Sequence, residues 1–265
     1  ENLPTQPKIV TSTPTYTPAP QDKSTYRPLP INYNWKEGVS GTTMNIEGFG
    51  APSLSDSYLV SNDTTQPIRA GWSSEKFMLQ NGWCYTTDCT RNPMYERIEK
   101  AELWVIGATE NEEYWYGWSF YIPTDASIGP YTWLGQFQQG PNWNPIWMFG
   151  KNVGNSRDFC LIYTFHYQQC TYSLISDEEF KGKWHDIVVH AVWSVNANKG
   201  VTEVWVDGWK AVDFRGATRT VENSTVYFKY GIYRPTNNMI TNVYYDEVRK
   251  GKTREEVDIQ LLTQK

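Results

Sequence analysis

The sequence predicts an all-β chain folded as a two-sheet antiparallel β-sandwich of the jelly-roll, concanavalin-like type, with a concave cleft on one face. Three observations carry that expectation. Short aromatic or β-branched runs recur from Trp35 onward between Gly, Pro, Asn and Asp punctuation. Only one short stretch near the C-terminus carries helix signals. The 265 residues suffice for one large core, and at this length a strand-rich chain favours a two-sheet sandwich.

Taken in order, residues 1–28 hold Pro4, Pro7, Pro14, Pro18, Pro20 and Pro28 among Thr, Ser and Gln. That is the composition of an extended linker or surface strap, so the folded domain is expected at 29–265. Strands are expected at 101–106, 114–122, 132–138, 146–149, 159–167, 185–193, 202–206, 211–214, 225–233 and 242–248. Asp207-Gly208 reads as a hairpin turn, because both positions tolerate the positive φ angles that tight turns need. Thr253-Arg254-Glu255-Glu256 has capping-box spacing and predicts a short helix over 257–262.

Aromatic residues make up 15% of the chain, with 13 Trp and 18 Tyr, against 20% charged residues, which excludes a disordered chain or a coiled coil. Indole faces suit stacking on pyranose rings, although most of these tryptophans are expected to fill the core. The formal charge of −5 counts against nonspecific nucleic-acid binding, and no apolar run is long enough to span a membrane. The four cysteines form two close pairs, Cys84 with Cys89 and Cys160 with Cys170. Three connectivities are formally possible; the two local ones are expected, the second across a hairpin over 158–172. The disulfides imply an oxidising compartment, so the chain reads as a secreted, mature extracellular monomer, and two sequons, Asn62-Asp63-Thr64 and Asn223-Ser224-Thr225, would be glycan acceptors in a eukaryotic host.

The segment from Val226 to Arg234 is the most telling. In a strand, Lys229, Gly231 and Tyr233 share a face, with only a hydrogen atom between the two polar side chains. A tyrosine beside an ammonium is equipped for proton abstraction, since the cation favours the phenolate. The bland alternative is an amphipathic strand with solvated polar residues. Two further segments, Arg97-Ile98-Glu99 and Gln136-Phe137-Gln138, also carry polar residues at alternating positions.

Together these three segments resemble the signature segments of jelly-roll polysaccharide lyases that cleave uronate polymers: alginate lyases, glucuronan lyases and heparin lyase I. The runs Trp115-Tyr116-Gly117-Trp118-Ser119, Lys183-Trp184-His185-Asp186 and Tyr244-Tyr245-Asp246-Glu247-Val248 are similar to the glucuronan and heparin lyase branch. The resemblance implies β-elimination on an anionic uronate polysaccharide, with no organic cofactor. It maps the family's glutamine onto Gln136, with Arg97 as carboxylate ligand and Tyr233 taking the C5 proton and returning one to O4. Alginate lyases have histidine two residues after that glutamine; here the position is Gln138. With D-glucuronate or D-mannuronate the C5 proton and O4 leave from one ring face, and with L-guluronate or L-iduronate from opposite faces. This departure therefore favours a glucuronate-type substrate such as glucuronan or ulvan with Tyr233 acting twice, an alginate lyase being the alternative within the same fold. His166 is the candidate replacement for the missing histidine, whereas His185 and His190 read as structural. Glu99, Arg234, Lys151 and Arg157 are the candidate substrate-binding residues. A structural calcium, common in relatives, points to Asp246 and Glu47.

The competing class is a noncatalytic carbohydrate-binding module or lectin, which gives no reason for a Lys/Tyr pair opposite two glutamines. The Glu-x-Asp-x-x-Glu pattern of sandwich glucanases is absent, and Glu99 and Glu102 would face opposite ways on one strand. No Gly-x-Ser-x-Gly elbow occurs.

Overall fold

A computed structural model describes residues 44–262 apart from 50–53, 62, 64, 72, 141–143 and 164–168. The expected strap at 1–28 and His166 lie outside the described residues. Among the described residues fourteen strands form two seven-stranded sheets. The first, here called the cleft sheet, runs in the order β1 (Met44–Phe49), β4 (Tyr95–Glu102), β13 (Thr225–Pro235), β6 (Thr132–Gly140), β7 (Asn144–Lys151), β8 (Phe159–Tyr163) and β9 (Tyr172–Ile175). The second, the outer sheet, runs β12 (Trp209–Arg215), β11 (Val201–Val206), β10 (Trp184–Trp193), β5 (Glu112–Tyr121), β14 (Thr241–Gly251), β3 (Ser74–Leu79) and β2 (Tyr58–Ser61). Every strand pair is antiparallel, and the predicted jelly-roll sandwich is what the chain forms.

Between the sheets lies an aromatic core. Phe137 packs edge-on against Tyr116 at 4.8 Å and lies 5.0 Å from Phe228, while Trp118 lies 5.0 Å from Phe149. Trp118, Trp147 and Trp193 are buried in this core and Trp133 is buried on the cleft face beside Tyr233, whereas Trp83, Trp115, Trp184 and Trp205 are partly exposed and Trp104 and Trp209 exposed, so fewer of the described tryptophans fill the core than expected. Both predicted disulfides form. Asp207 and Gly208 both have positive φ, as a tight hairpin between β11 and β12 requires.

Two elements differ from expectation. The strand placed at 101–106 lies at Tyr95–Glu102, and Trp104–Ile106 is an exposed 3₁₀ turn. The apolar run drew the prediction, but β4 is stabilised by charge. Its Glu96, Lys100 and Glu102 pair with Arg234, Glu75 and Lys250 at 2.9, 2.6 and 2.5 Å. Near the C-terminus the capping box is present, but it caps a 3₁₀ turn at Arg254–Glu256, and the helix (α2, Ile259–Leu262) starts later than predicted. Val257 leaves helical geometry between them and packs its carbonyl against Gly117, where a Cβ would come within 2.1 Å. The short α1 (Leu54–Ser57), β1, β2, β3 and β9 were not predicted.

Candidate active site

β13 lies between β4 and β6 at the centre of the cleft sheet. Lys229, Gly231 and Tyr233 pair with Ala101, Glu99 and Arg97 on one side, and Tyr227 and Lys229 pair with Gln138 and Gln136 on the other. Side-chain alternation therefore puts Arg97, Glu99, Gln136, Gln138, Lys229 and Tyr233 on the face away from the core. Gly231 has φ +134°, and a Cβ there would fall 2.3 Å from the Ile98 carbonyl oxygen, so only glycine fits. The register with β6 shifts between Tyr230 and Tyr233, which brings Tyr233 opposite Trp133.

Glu99 is the hub of this face. Lys229 Nζ and Arg97 Nη1 approach its Oε2 at 3.0 and 3.1 Å, and Gln136 Nε2 donates to its Oε1 at 2.5 Å. Gln138 Nε2 in turn donates to Gln136 Oε1 at 3.0 Å. Burial alone would raise the Glu99 pKa, but Lys229 and Arg97 outweigh it and hold the carboxyl below its usual range. Arg97 also grips Asp88 through Nε at 2.8 Å, and these carboxylates keep its pKa above the usual guanidinium value against the pull of burial.

Tyr233 stacks on Tyr95 at 5.0 Å, and the Arg97 guanidinium lies 4.2 Å from its ring centroid. Its hydroxyl accepts from Arg91 Nη1 at 2.6 Å and is oriented to donate to Asp88 Oδ1 at 3.5 Å. Burial pushes the phenol up to about 12; Asp88 and Glu99 add to the rise, and Arg97 and Arg91 oppose it. The sequence expectation that Lys229 would favour the phenolate is corrected here. Lys229 is held by Glu99, and the cations beside Tyr233 are Arg97 and Arg91.

Asp88 and Arg91 escaped sequence reasoning. They come from the 3₁₀ turn Thr86–Thr90 and the residue after it, tied down by the Cys84–Cys89 disulfide and by the Arg97 N–H bonding the Trp83 carbonyl at 3.1 Å. The available signal was a tight cysteine pair enclosing an acid and followed by an arginine.

Other nominated residues lie elsewhere. Arg234 is fully buried on the opposite face of β13, bonded to Glu96 and the Thr241 hydroxyl at 2.9 and 2.6 Å. Lys151 is buried against Phe180 and pairs with Asp177 at 2.5 Å; exposed Arg157 shares that carboxylate. Asp246 lies in the outer sheet, where its carboxylate accepts backbone N–H groups of Arg69, Ala70 and Glu247 at 2.8, 3.1 and 2.8 Å. Glu47 lies in the cleft sheet, in register with Glu99. The strands that carry the two residues nominated for calcium are thus in different sheets. Among the described residues no cluster of three or more His, Cys, Asp or Glu side chains could hold a metal. His185 bonds Asp207 and the Glu179 carbonyl, and His190 bonds Glu203 and Glu113, so both are structurally satisfied. Glu102 faces away from Glu99, as alternation predicts, and pairs with Lys250.

A cleft face with a tyrosine hydroxyl between a guanidinium and a carboxylate can move protons. A family described as polysaccharide lyase matches residues 61–249. The chain belongs to that polysaccharide lyase family. No curated protein matches the sequence of this lyase. Its fold is similar to that of the endo-β-1,4-glucuronan lyase from the fungus Trichoderma reesei, with a TM-score of 0.61 and 21% identity over 85% of this chain and 97% of that one. The alginate lyase AlgAT5 of polysaccharide lyase family 7 is also similar, with a TM-score of 0.52 and 14% identity over 74% and 82% of the two chains. So is the catalytic domain of a family 131 glycoside hydrolase from Coprinopsis cinerea, at 0.56 and 10% over 85% and 89%. At these identities the likenesses describe the lyase's fold. Among the described residues no helix is long and apolar enough to cross a membrane.

Proposed function

We propose that this lyase cleaves a uronate-containing polysaccharide of the glucuronate type, such as glucuronan or ulvan, by β-elimination, leaving 4,5-unsaturated uronate ends. The observation that carries this reading is the Tyr233 hydroxyl, held between Arg91 and Asp88 beneath the Arg97 guanidinium. Removing the C5 proton requires that the adjacent carboxylate be neutralised, and Arg91, half-exposed at the cleft mouth, supplies a charge-assisted donor for it. Gln136 keeps a second Nε2 hydrogen after bonding Glu99 and is the amide nearest that role. Tyr233, as the phenolate, takes the C5 proton; the electron pair forms the C4–C5 double bond; the C4–O4 bond breaks; and O4 takes the proton from the phenol so formed, which restores the phenolate. One residue can serve both transfers when the C5 proton and O4 share a ring face, as in glucuronate. The similarity to a glucuronan lyase fold supports the same substrate class. The two disulfides support an extracellular setting, and we assign the enzyme as a secreted monomer needing no organic cofactor, its domain spanning 29–265.

The test is ultraviolet absorbance over time on glucuronan, ulvan, alginate and heparin, because elimination creates a conjugated double bond. A rise on glucuronan or ulvan is expected. A rise confined to alginate would overturn the substrate class, and new reducing ends without absorbance would indicate hydrolysis. Binding without either would reduce the cleft to a carbohydrate-binding groove.

A further inference from the structure

An amide side chain has a donating end and an accepting end, and Glu99 decides which way two of them point. Its carboxylate is buried and ionised, so it only accepts, and Gln136 must turn Nε2 toward it. Gln136 then offers only Oε1 to its neighbour, and Gln138 must turn its own Nε2 inward. Reversing either amide would set oxygen against oxygen. Gln138 is therefore left presenting Oε1, an acceptor, at the open end of the relay. That oxygen is buried and has no hydrogen-bond partner, on a residue only 9% exposed. Leaving such an acceptor unsatisfied costs stability, which a donor from a ligand would recover.

The ground beside it suits a sugar. Gly140 lies two residues further along β6 on the same face, about 7 Å on at strand spacing. A Cβ at Gly140 would fall 3.1–3.4 Å from Trp104 atoms, so the indole lies on the sheet there, and Trp104 is 40% exposed. An apolar plate next to a buried acceptor matches a pyranose ring with a hydroxyl at its edge.

We infer that Gln138 Oε1 reads a free hydroxyl of the bound polysaccharide, so that a chain carrying a sulfate or acetyl ester at that hydroxyl is rejected. This inference rests on the polysaccharide reading of the same cleft and narrows it to uronate polymers unsubstituted at that hydroxyl. An esterified oxygen has no proton to give, and a sulfate would bring its own oxygens against Oε1.

The experiment compares kcat/KM, read by product absorbance, on one glucuronan preparation before and after partial O-acetylation or O-sulfation. The native enzyme should lose about 10–100-fold on the substituted polymer. Gln138→Met removes the acceptor at similar volume; it should lose activity on the unsubstituted polymer and narrow the gap between the two to within about 2-fold. Gln138→Asn, which is too short to hold the relay, should behave alike if the methionine variant does not fold, as judged by thermal melting. Equal rates of the native enzyme on both polymers, or full discrimination retained by a folded Gln138 variant, would overturn the inference while leaving the lyase reading intact. No absorbance with native enzyme on any glucuronan would overturn both.

Discussion

Two buried carboxylates, Glu99 in the cleft sheet and Asp186 in the outer sheet, collect the same kinds of partner and end differently. Asp186 is gripped by both arms of Arg69 at 2.9 Å, by the Ser119 hydroxyl at 2.7 Å and by the Gln260 amide at 3.1 Å. Those partners pin the 66–70 loop and α2 onto the outer sheet, and the network closes there. Glu99 also holds an arginine and an amide, but its network leads onward, through Arg97 to Asp88 and Tyr233, and through Gln136 to an unsatisfied oxygen on Gln138. A closed polar network fixes a fold, whereas one with unsatisfied ends has somewhere to put a ligand.

The comparison breaks first under deletion of the hubs. Glu99→Ala and Asp186→Ala each strand buried cations, so each should lose about 3–5 kcal/mol of stability in denaturant unfolding. They should part company in activity. The Asp186 variant, assayed where it is folded, should keep near-native kcat, and the Glu99 variant should not. Both carboxyls are held below their usual values of 4.5 and 3.8, by Lys229 and Arg97 for Glu99 and by Arg69 for Asp186, each against the opposing effect of burial. Their stabilisation is therefore present above those values and is lost as pH falls through the folded pKa. Glu99→Gln should flatten the acid limb of the stability profile.

A smaller effect sharpens the role of the disulfide loop. With the Tyr233 phenol pushed up to about 12, kcat/KM should climb with pH through the alkaline range. Arg91 lowers that phenol and Asp88 raises it. Arg91→Ala should therefore move the rising limb to higher pH, and Asp88→Asn should move it to lower pH, both read from pH–rate profiles. Coincident profiles would detach the loop from the chemistry. The smallest effect belongs to the outer sheet. Lys210 pairs with Glu203 and Asp213 at 2.5 and 2.9 Å in solvent, and Lys210→Ala should cost less than about 1 kcal/mol and leave turnover unchanged.

What the sequence disclosed follows from what is local. Alternation on β13 depends only on the backbone, so Lys229, Gly231 and Tyr233 could be put on one face before any fold was known. The same rule places Arg234 on the other face, where it closes on Glu96, and applying it would have removed Arg234 from the candidates. β4 was displaced because its inward charges Glu96, Lys100 and Glu102, answered by Arg234, Glu75 and Lys250 from other strands, conceal a strand that apolar patterning cannot detect. Asp88 meets Tyr233 across 145 residues through a disulfide-closed turn, and no local pattern reports that. Gln136 and Gln138 were visible as a pair, but the direction of their amides is imposed by Glu99 from another strand.

The most direct measurement is turnover and binding of Tyr233→Phe on glucuronan, with product absorbance for the first and calorimetric titration for the second. The phenyl ring keeps its place against Tyr95 and Arg97 and loses only the hydroxyl between Arg91 and Asp88. Turnover is expected to fall by about 10²–10⁴-fold with affinity for the polymer retained. Near-native turnover in a folded variant would contradict the assignment of Tyr233 as the proton-transferring residue.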